Sequence, residues 1–440
     1  MTLARRSIRP LFLLFLGPLI QNAVIMTWAN LMNFKATNAG CTPQVLCYIG
    51  ICMAAGYTVS SFLAGRWVKA AFAHWLISIA TIGCALLGLT IMVLPPFIPY
   101  LFLGFLFGLI NGHYFCPFQV GMGSVKPFRT LAWTIAFYNV SWGTGVAIGP
   151  YIAGLLADLP KDPAGHVSKL PFLILAFGLA ITHTILVLVA QSAPKPPPAE
   201  AADGADGAHA QPAPLIVSTR RLRRLGLLCS LVGQFLLTAL SMSLWPPMAK
   251  AEGLNSYQTG LALFIFGLQI PIGGVIFATQ RKRISKPWML IVLFAVAALT
   301  FAALPYVTVW PGQLIVMGLI GFACSGLFFH GVYYPNADPE NPRHSVSMME
   351  TTVGVAGFLG PLVMGNLAGS DALARWPYLV GAGLIFVVIL IALRIWFNGE
   401  PRRADPRPGD STAAAPNLQA TSNARTASDA TPATPVEPSA

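Results

Sequence analysis

The chain alternates apolar runs of about 20 residues with short polar or proline-rich turns, the run length an α-helix needs to cross a ~30 Å hydrocarbon layer. Six spans fall at 10–32, 44–65, 73–94, 96–122, 130–157 and 169–190, and six more at 225–249, 256–278, 287–306, 310–336, 344–369 and 376–397. The first run is too long for a cleaved leader and lacks a small-residue cleavage site, so it counts as span 1. Between the two sets, residues 191–224 open rich in Pro and Ala and close on the basic run STRRLRR. From 398 onward the chain is Pro, Ala, Ser and Thr with scattered charges and no apolar period. Such composition cannot bury enough apolar surface to order a backbone. The expected organisation is a six-helix unit over 1–190, a linker over 191–224, a second six-helix unit over 225–397 and a disordered tail over 398–440. The basic end of the linker is expected to lie against anionic headgroups.

Composition agrees with this pattern. Only 10% of residues are charged and 55% are hydrophobic, with a mean hydropathy of +0.66, which excludes a soluble globular chain. A net charge of +12 raises the question of nucleic acid, and the placement of the charges answers it. With the N-terminus inside, every Lys and Arg except Lys35, Lys161, Lys169, Lys250 and Arg375 falls on the inner side. The basic excess therefore sets topology, with both termini cytoplasmic in a cell (inner) membrane, and no nucleic-acid partner is needed. Seven cysteines show neither metal spacing nor a disulfide framework. Cys41 and Cys47 flank the start of span 2 and could pair, but Cys in an apolar helix usually acts as a small hydrophobe. No Gly-rich phosphate loop followed by Lys occurs, so ATP is not the driver and no cofactor is expected.

The two sets of spans repeat each other. Shifting back by 211 residues from span 11 overlays span 5, with Asn139 at Glu350, Gly143 at Gly354, Gly149-Pro150 at Gly360-Pro361 and Gly154 at Gly365. Span 4, from Gly108 to Pro117, aligns with span 10, from Gly326 to Pro335, at an offset of 218. The stretch from Ser61 to Lys69 matches Gly274 to Arg283 at nearly the same offset. Near-equal offsets indicate two structural repeats.

On these residues the chain resembles the major facilitator superfamily over 10–397. GVAIGPYIAG, Gly145 to Gly154, is similar to a fifth-span pattern associated with export antiporters, with Ala153 in place of one glycine. The inner-loop motif keeps Arg66 and Lys69, and Lys282 and Arg283 in the second half, but has Gly65 and Ala278 at its acids. Gln21 and Asn22 occupy the region of the usual first-span acid. The resemblance implies an all-α membrane protein of 12 transmembrane helices in two pseudo-symmetric six-helix bundles. Spans 3, 6, 9 and 12 then face lipid, and the inner gate closes without the loop acids. Gly145, Gly149, Pro150, Gly154, Gly354, Gly360, Pro361 and Gly365 become packing and conformational positions.

Within the spans the sharpest candidate is Glu350, since a carboxylate at membrane depth costs about 2.5 to 3.5 kcal/mol on insertion scales. It is read either as a proton-coupling site or, being only about six residues or ~9 Å into its span, as a gate or helix-helix tie, with an inner-loop residue such as Arg66 or Lys126 as a partner. Gln21, Asn22, Asn111, Tyr114 and Asn139 are candidate cavity residues in the first half. Gln234, Gln269, His330, Tyr333 and Tyr334 are their counterparts in the second, the last three as an aromatic, hydrogen-bonding wall. Other amides, Gln119 among them, also fall on central spans. No Lys or Arg lies inside a span, so an anionic substrate lacks a fixed cation. The expectation is a secondary transporter for a small neutral or weakly basic solute, working by alternating access, with protons the candidate coupling ion and export ahead. The alternatives are uptake of a neutral sugar or nucleoside, and a non-transporting sensor on the same fold. An enzyme lacks a convincing nucleophile with its base.

Overall fold

A computed structural model describes residues 3–67, 73–94, 98–124, 131–157, 174, 176–182, 219–280, 283–284, 286–337 and 342–397. The first-half helices are α1 (Leu3–Asn38), α2 (Pro43–Trp67), α3 (Ala73–Val93), α4 (Ile98–Ser124) and α5 (Leu131–Ala157). The second half runs α6 (Thr219–Ala239), a π-helical turn (Leu240–Leu244), α7 (Trp245–Ala251), α8 (Ser256–Thr279), α9 (Pro287–Ala303), α10 (Trp310–Asn336), α11 (Pro342–Ala368) and α12 (Trp376–Phe397). Among the described residues, nine helical segments are long and apolar enough to cross a membrane. Residue 174 and residues 177–182 of span 6 are helical, as is 176. Most of the linker, the tail, Lys69, Lys126 and Lys282 lie outside the described residues.

One expected boundary moves. The linker's basic end is helical from Thr219, because Leu222, Leu225 and Cys229 recur at helical spacing and are all buried. Span 7 also carries the π-helical turn, directly before Pro246 and Pro247. A proline ring clashes with the carbonyl four residues back and has no N–H to donate. Widening the preceding turn lets the helix continue past both rings. At the start of α8, the Asn255 side chain accepts from the Gln258 backbone at 2.8 Å while Gln258 Oε1 accepts from the Asn255 backbone at 3.1 Å, a reciprocal cap.

The packing of one half repeats in the other. α1 packs on α5 as α6 does on α11, α2 on α4 as α8 does on α10, and α3 on α4 as α9 does on α10. The two most extensive contacts between the halves are α5 with α8 and α2 with α11. Lipid tails are as apolar as Leu, so these contacts depend on close fit. A Cβ on Gly267 of α8 would come within 2.7 Å of Ala147 Cα on α5. One apolar cluster gathers around Trp28, Tyr100, Phe107 and Tyr114 in the first half. A larger one gathers around Trp245, Phe266, Phe294, Phe301 and Phe329. Outside these, Ile79, Ile82 and Leu86 on α3, Val292 and Leu299 on α9, and Leu384, Phe386, Val387 and Leu390 on α12 expose apolar side chains. That is where lipid-facing helices are expected.

Candidate functional site

A cavity of about 150 Å³ lies between the halves, lined by α1, α2, α4 and α5 on one side and by α6, the π-helical turn, α10 and α11 on the other. Glu350 is buried at its edge. One carboxylate oxygen accepts from the Tyr57 hydroxyl of α2, and the other from the Gln119 amide of α4. The same amide nitrogen donates to the Tyr138 hydroxyl of α5 at 2.9 Å. A single second-half acid is thus held by donors from the first half. α11 comes this close to α2 because Gly354 has no side chain: a Cβ there would lie 2.8 Å from Thr58 Cα. Nearby, Ser347 Oγ donates to the Ser61 carbonyl at 3.3 Å.

Rings run from the packing beside the cavity into its lining, Tyr138, Trp142 and Phe328 being the lining members. Phe118 stacks on Tyr138 at 5.9 Å, Tyr138 tilts against Trp142 at 6.3 Å, and Trp142 meets Phe328 of the second half edge-on at 5.0 Å. Asn22, Asn111 and Gln234 line the same space.

Other candidates lie elsewhere. Gln21 donates to Cys84 Sγ on α3 at 3.3 Å. Tyr114 is buried in the first-half apolar cluster, stacked on Phe118 at 6.2 Å. Asn139 accepts from Trp142 Nε1 at 2.9 Å and packs beside Gly274 of α8. Gln269 is half-buried beside Gly318 of α10 and is not part of the lining.

His330, Tyr333 and Tyr334, read as an aromatic wall, do not line this cavity. His330 Nδ1 contacts the Gly326 carbonyl at 2.6 Å, its ring lies edge-on to Phe277 of α8, and the Tyr334 hydroxyl donates to the Ile284 carbonyl at 2.5 Å. Tyr333 stacks on Phe329 at 6.0 Å. That face of α10 is turned into second-half packing, and the aromatic lining comes from Tyr57, Phe115, Tyr138, Trp142 and Phe328 instead.

Glu350 does not reach Arg66, which is exposed with its guanidinium 4.0 Å from the Phe62 ring centre. Arg283 is likewise exposed. Gly145 and Gly149 lie against α1, Gly154 against the start of α8, Gly360 against α6 and Gly365 against Cys47 of α2. Pro361 packs on Gly50, and the Pro150 carbonyl lies against Gly260. Cys41 and Cys47 are free thiols. Tyr57 and Tyr138 carried no sequence signal of their own, whereas Gln119 stood out as an amide on a central span.

The family model for the Major Facilitator Superfamily matches residues 11–339. The chain belongs to this superfamily. It is therefore an integral membrane secondary transporter whose relatives bind small-molecule substrates. Among solved structures, it is similar to a bacterial homolog of the human lysosomal transporter Spinster, inward-facing and occupied, at 14% identity and a TM-score of 0.62, covering 88% of this chain and 95% of that one. The unoccupied form of that homolog matches at the same identity and TM-score, covering 96% of its chain. The nucleoside transporter NupG, as a D323A mutant, matches at 16% identity and a TM-score of 0.58, covering 88% of this chain and 99% of that one. No curated protein sequence matches the chain.

Proposed function

We propose that this superfamily member moves a small neutral or weakly basic solute by alternating access, in exchange for protons, with export the favoured direction. The observation that carries the reading is the setting of Glu350. It bridges to Tyr57 and Gln119 across the two halves at the cavity edge, and no ion pair to it occurs among the described residues. As a carboxylate it accepts from both first-half donors. Once protonated it has a hydrogen of its own to place, so gaining or losing a proton changes how the halves are tied. Solute in the cavity and a proton on Glu350 then act on the same contact between halves, which is the physical requirement for coupling. A gradient can supply the work, since one charge moved through 100 mV is worth about 2.3 kcal/mol.

Uptake of a neutral sugar or nucleoside is the second reading. It is favoured by the amides Asn22, Asn111 and Gln234 in the lining. The two separate in proteoliposomes carrying an internal pH dye. Exchange requires that solute leaving the lumen brings protons in, acidifying it. Solute movement that leaves luminal pH unchanged, or carries protons along with it, overturns the exchange reading.

A further inference from the structure

Span 7 gives up a backbone bond where its turn widens. The Trp245 N–H donates to the Leu240 carbonyl, five residues back, and not to that of Ser241, four back. In the wide register the Ser241 carbonyl would turn to position 246, which is a proline and has no N–H. That carbonyl therefore has no donor at either helical spacing. Ser241 is buried, and a buried carbonyl left without a donor is costly.

The missing donor comes from the other half. Asn33 Nδ2 on α1, itself buried, donates to the Ser241 carbonyl at 3.3 Å and to Met242 Sδ at 3.4 Å. An amide nitrogen carries two hydrogens, and these are its two acceptors. Met242 belongs to the cavity lining. One first-half side chain thus completes the wide turn and seats part of the cavity wall.

We infer that Asn33 is a positioning residue for transport: it supplies across the halves the donor that Pro246 denies the Ser241 carbonyl, so that closing this end and widening span 7 are one event. As the end opens, Asn33 withdraws, and the Trp245 N–H passes from the Leu240 carbonyl to that of Ser241. The Leu240 carbonyl takes the Leu244 N–H in turn, the helix narrows to α, and Met242 leaves its seat. The narrow register sets the Pro246 ring against the Met242 carbonyl, which favours the wide turn while Asn33 is in reach. None of this requires a proton on Glu350.

Cys47 reports opening at this end without any solute. It is a buried free thiol of α2 packed against Gly365 of α11, so a reagent reaches it only when the halves part there. The purified full chain, carrying Cys41→Ser and Cys52→Ser, is treated with N-ethylmaleimide, and the labelling rate of Cys47 is read by peptide mass. Asn33→Leu keeps the branched shape and has no donor. It orphans the Ser241 carbonyl in the closed form only, and should speed labelling about tenfold or more. Pro246→Ala restores an N–H at that position, so adding Asn33→Leu to it should change the rate less than about threefold. Equal acceleration in both backgrounds makes Asn33 an ordinary tie between halves and overturns the inference. So does no acceleration in the Pro246 background. Asn33→Ala repeats the comparison without bulk at the site. If neither single variant folds, folding of both in the Pro246→Ala background supports the inference, and failure there overturns it.

Discussion

Tyr57 and Gln119 decide what Glu350 can do. Burying a carboxylate without hydrogen bonds is costly, and here two neutral donors from the opposite half satisfy it. Tyr57→Phe removes one donor and keeps the ring, so proton-driven accumulation should fall about tenfold while solute exchange at equal pH on both sides stays within about twofold; an equal loss in both assays would mark Tyr57 as a packing residue only. His330 makes the opposite prediction. Buried among Phe277, Phe329 and Tyr334 and outside the cavity lining, it acts in packing. His330→Ala should cost about 2 kcal/mol of stability, seen as a lower melting temperature, with the KM for transport unchanged. The contrast shows what a sequence reveals at this scale. An acid in an apolar run is conspicuous wherever its helix turns, so Glu350 was legible. A tyrosine is ordinary in a membrane helix, so Tyr57 was not. His330, Tyr333 and Tyr334 share a helical face, but spacing defines a face without saying which neighbour it meets.

At the scale of elements, the repeat offset of 211 residues placed Glu350, Gly354 and Pro361 on one helix matched to Asn139, Gly143 and Pro150. In the structure these two helices make the most extensive contacts between halves, α11 with α2 and α5 with α8. The pairing was legible as a repeat; the identity of each partner helix was not, because offsets relate the halves to each other and carry no information on how they dock. The π-helical turn of span 7 escaped for a similar reason: Pro246 and Pro247 announce a break, and the sequence does not say that the helix widens and continues. Both contacts depend on glycine. Gly354→Val and Gly267→Val should separate α11 from α2 and α8 from α5, removing transport and lowering the melting temperature by several degrees. Gly383→Ala on α12, where an added Cβ meets nothing, is the control expected to leave both unchanged.

For the whole molecule, alternating access requires the halves to separate at each end in turn. At the Pro43 end they are joined by Lys250 Nζ to the Thr37 carbonyl at 2.9 Å, Asn33 Nδ2 to the Ser241 carbonyl at 3.3 Å, and Gln44 Nε2 to Asn366 Oδ1 at 3.3 Å. These ties use neutral acceptors throughout, so they carry little of the salt sensitivity of ion pairs. Linking Gln44→Cys to Asn366→Cys, with Cys41 and Cys47 replaced by Ser, should stop transport under oxidation and restore it under reductant. Transport that continues in the linked protein would rule out opening at this end. The central claim, that proton movement passes through Glu350, meets its most direct test in proteoliposomes containing Glu350→Gln. Solute exchange at equal pH on both sides is predicted to persist, while accumulation driven by an imposed pH gradient is lost. Gradient-driven accumulation equal to that of the unmodified protein would contradict it.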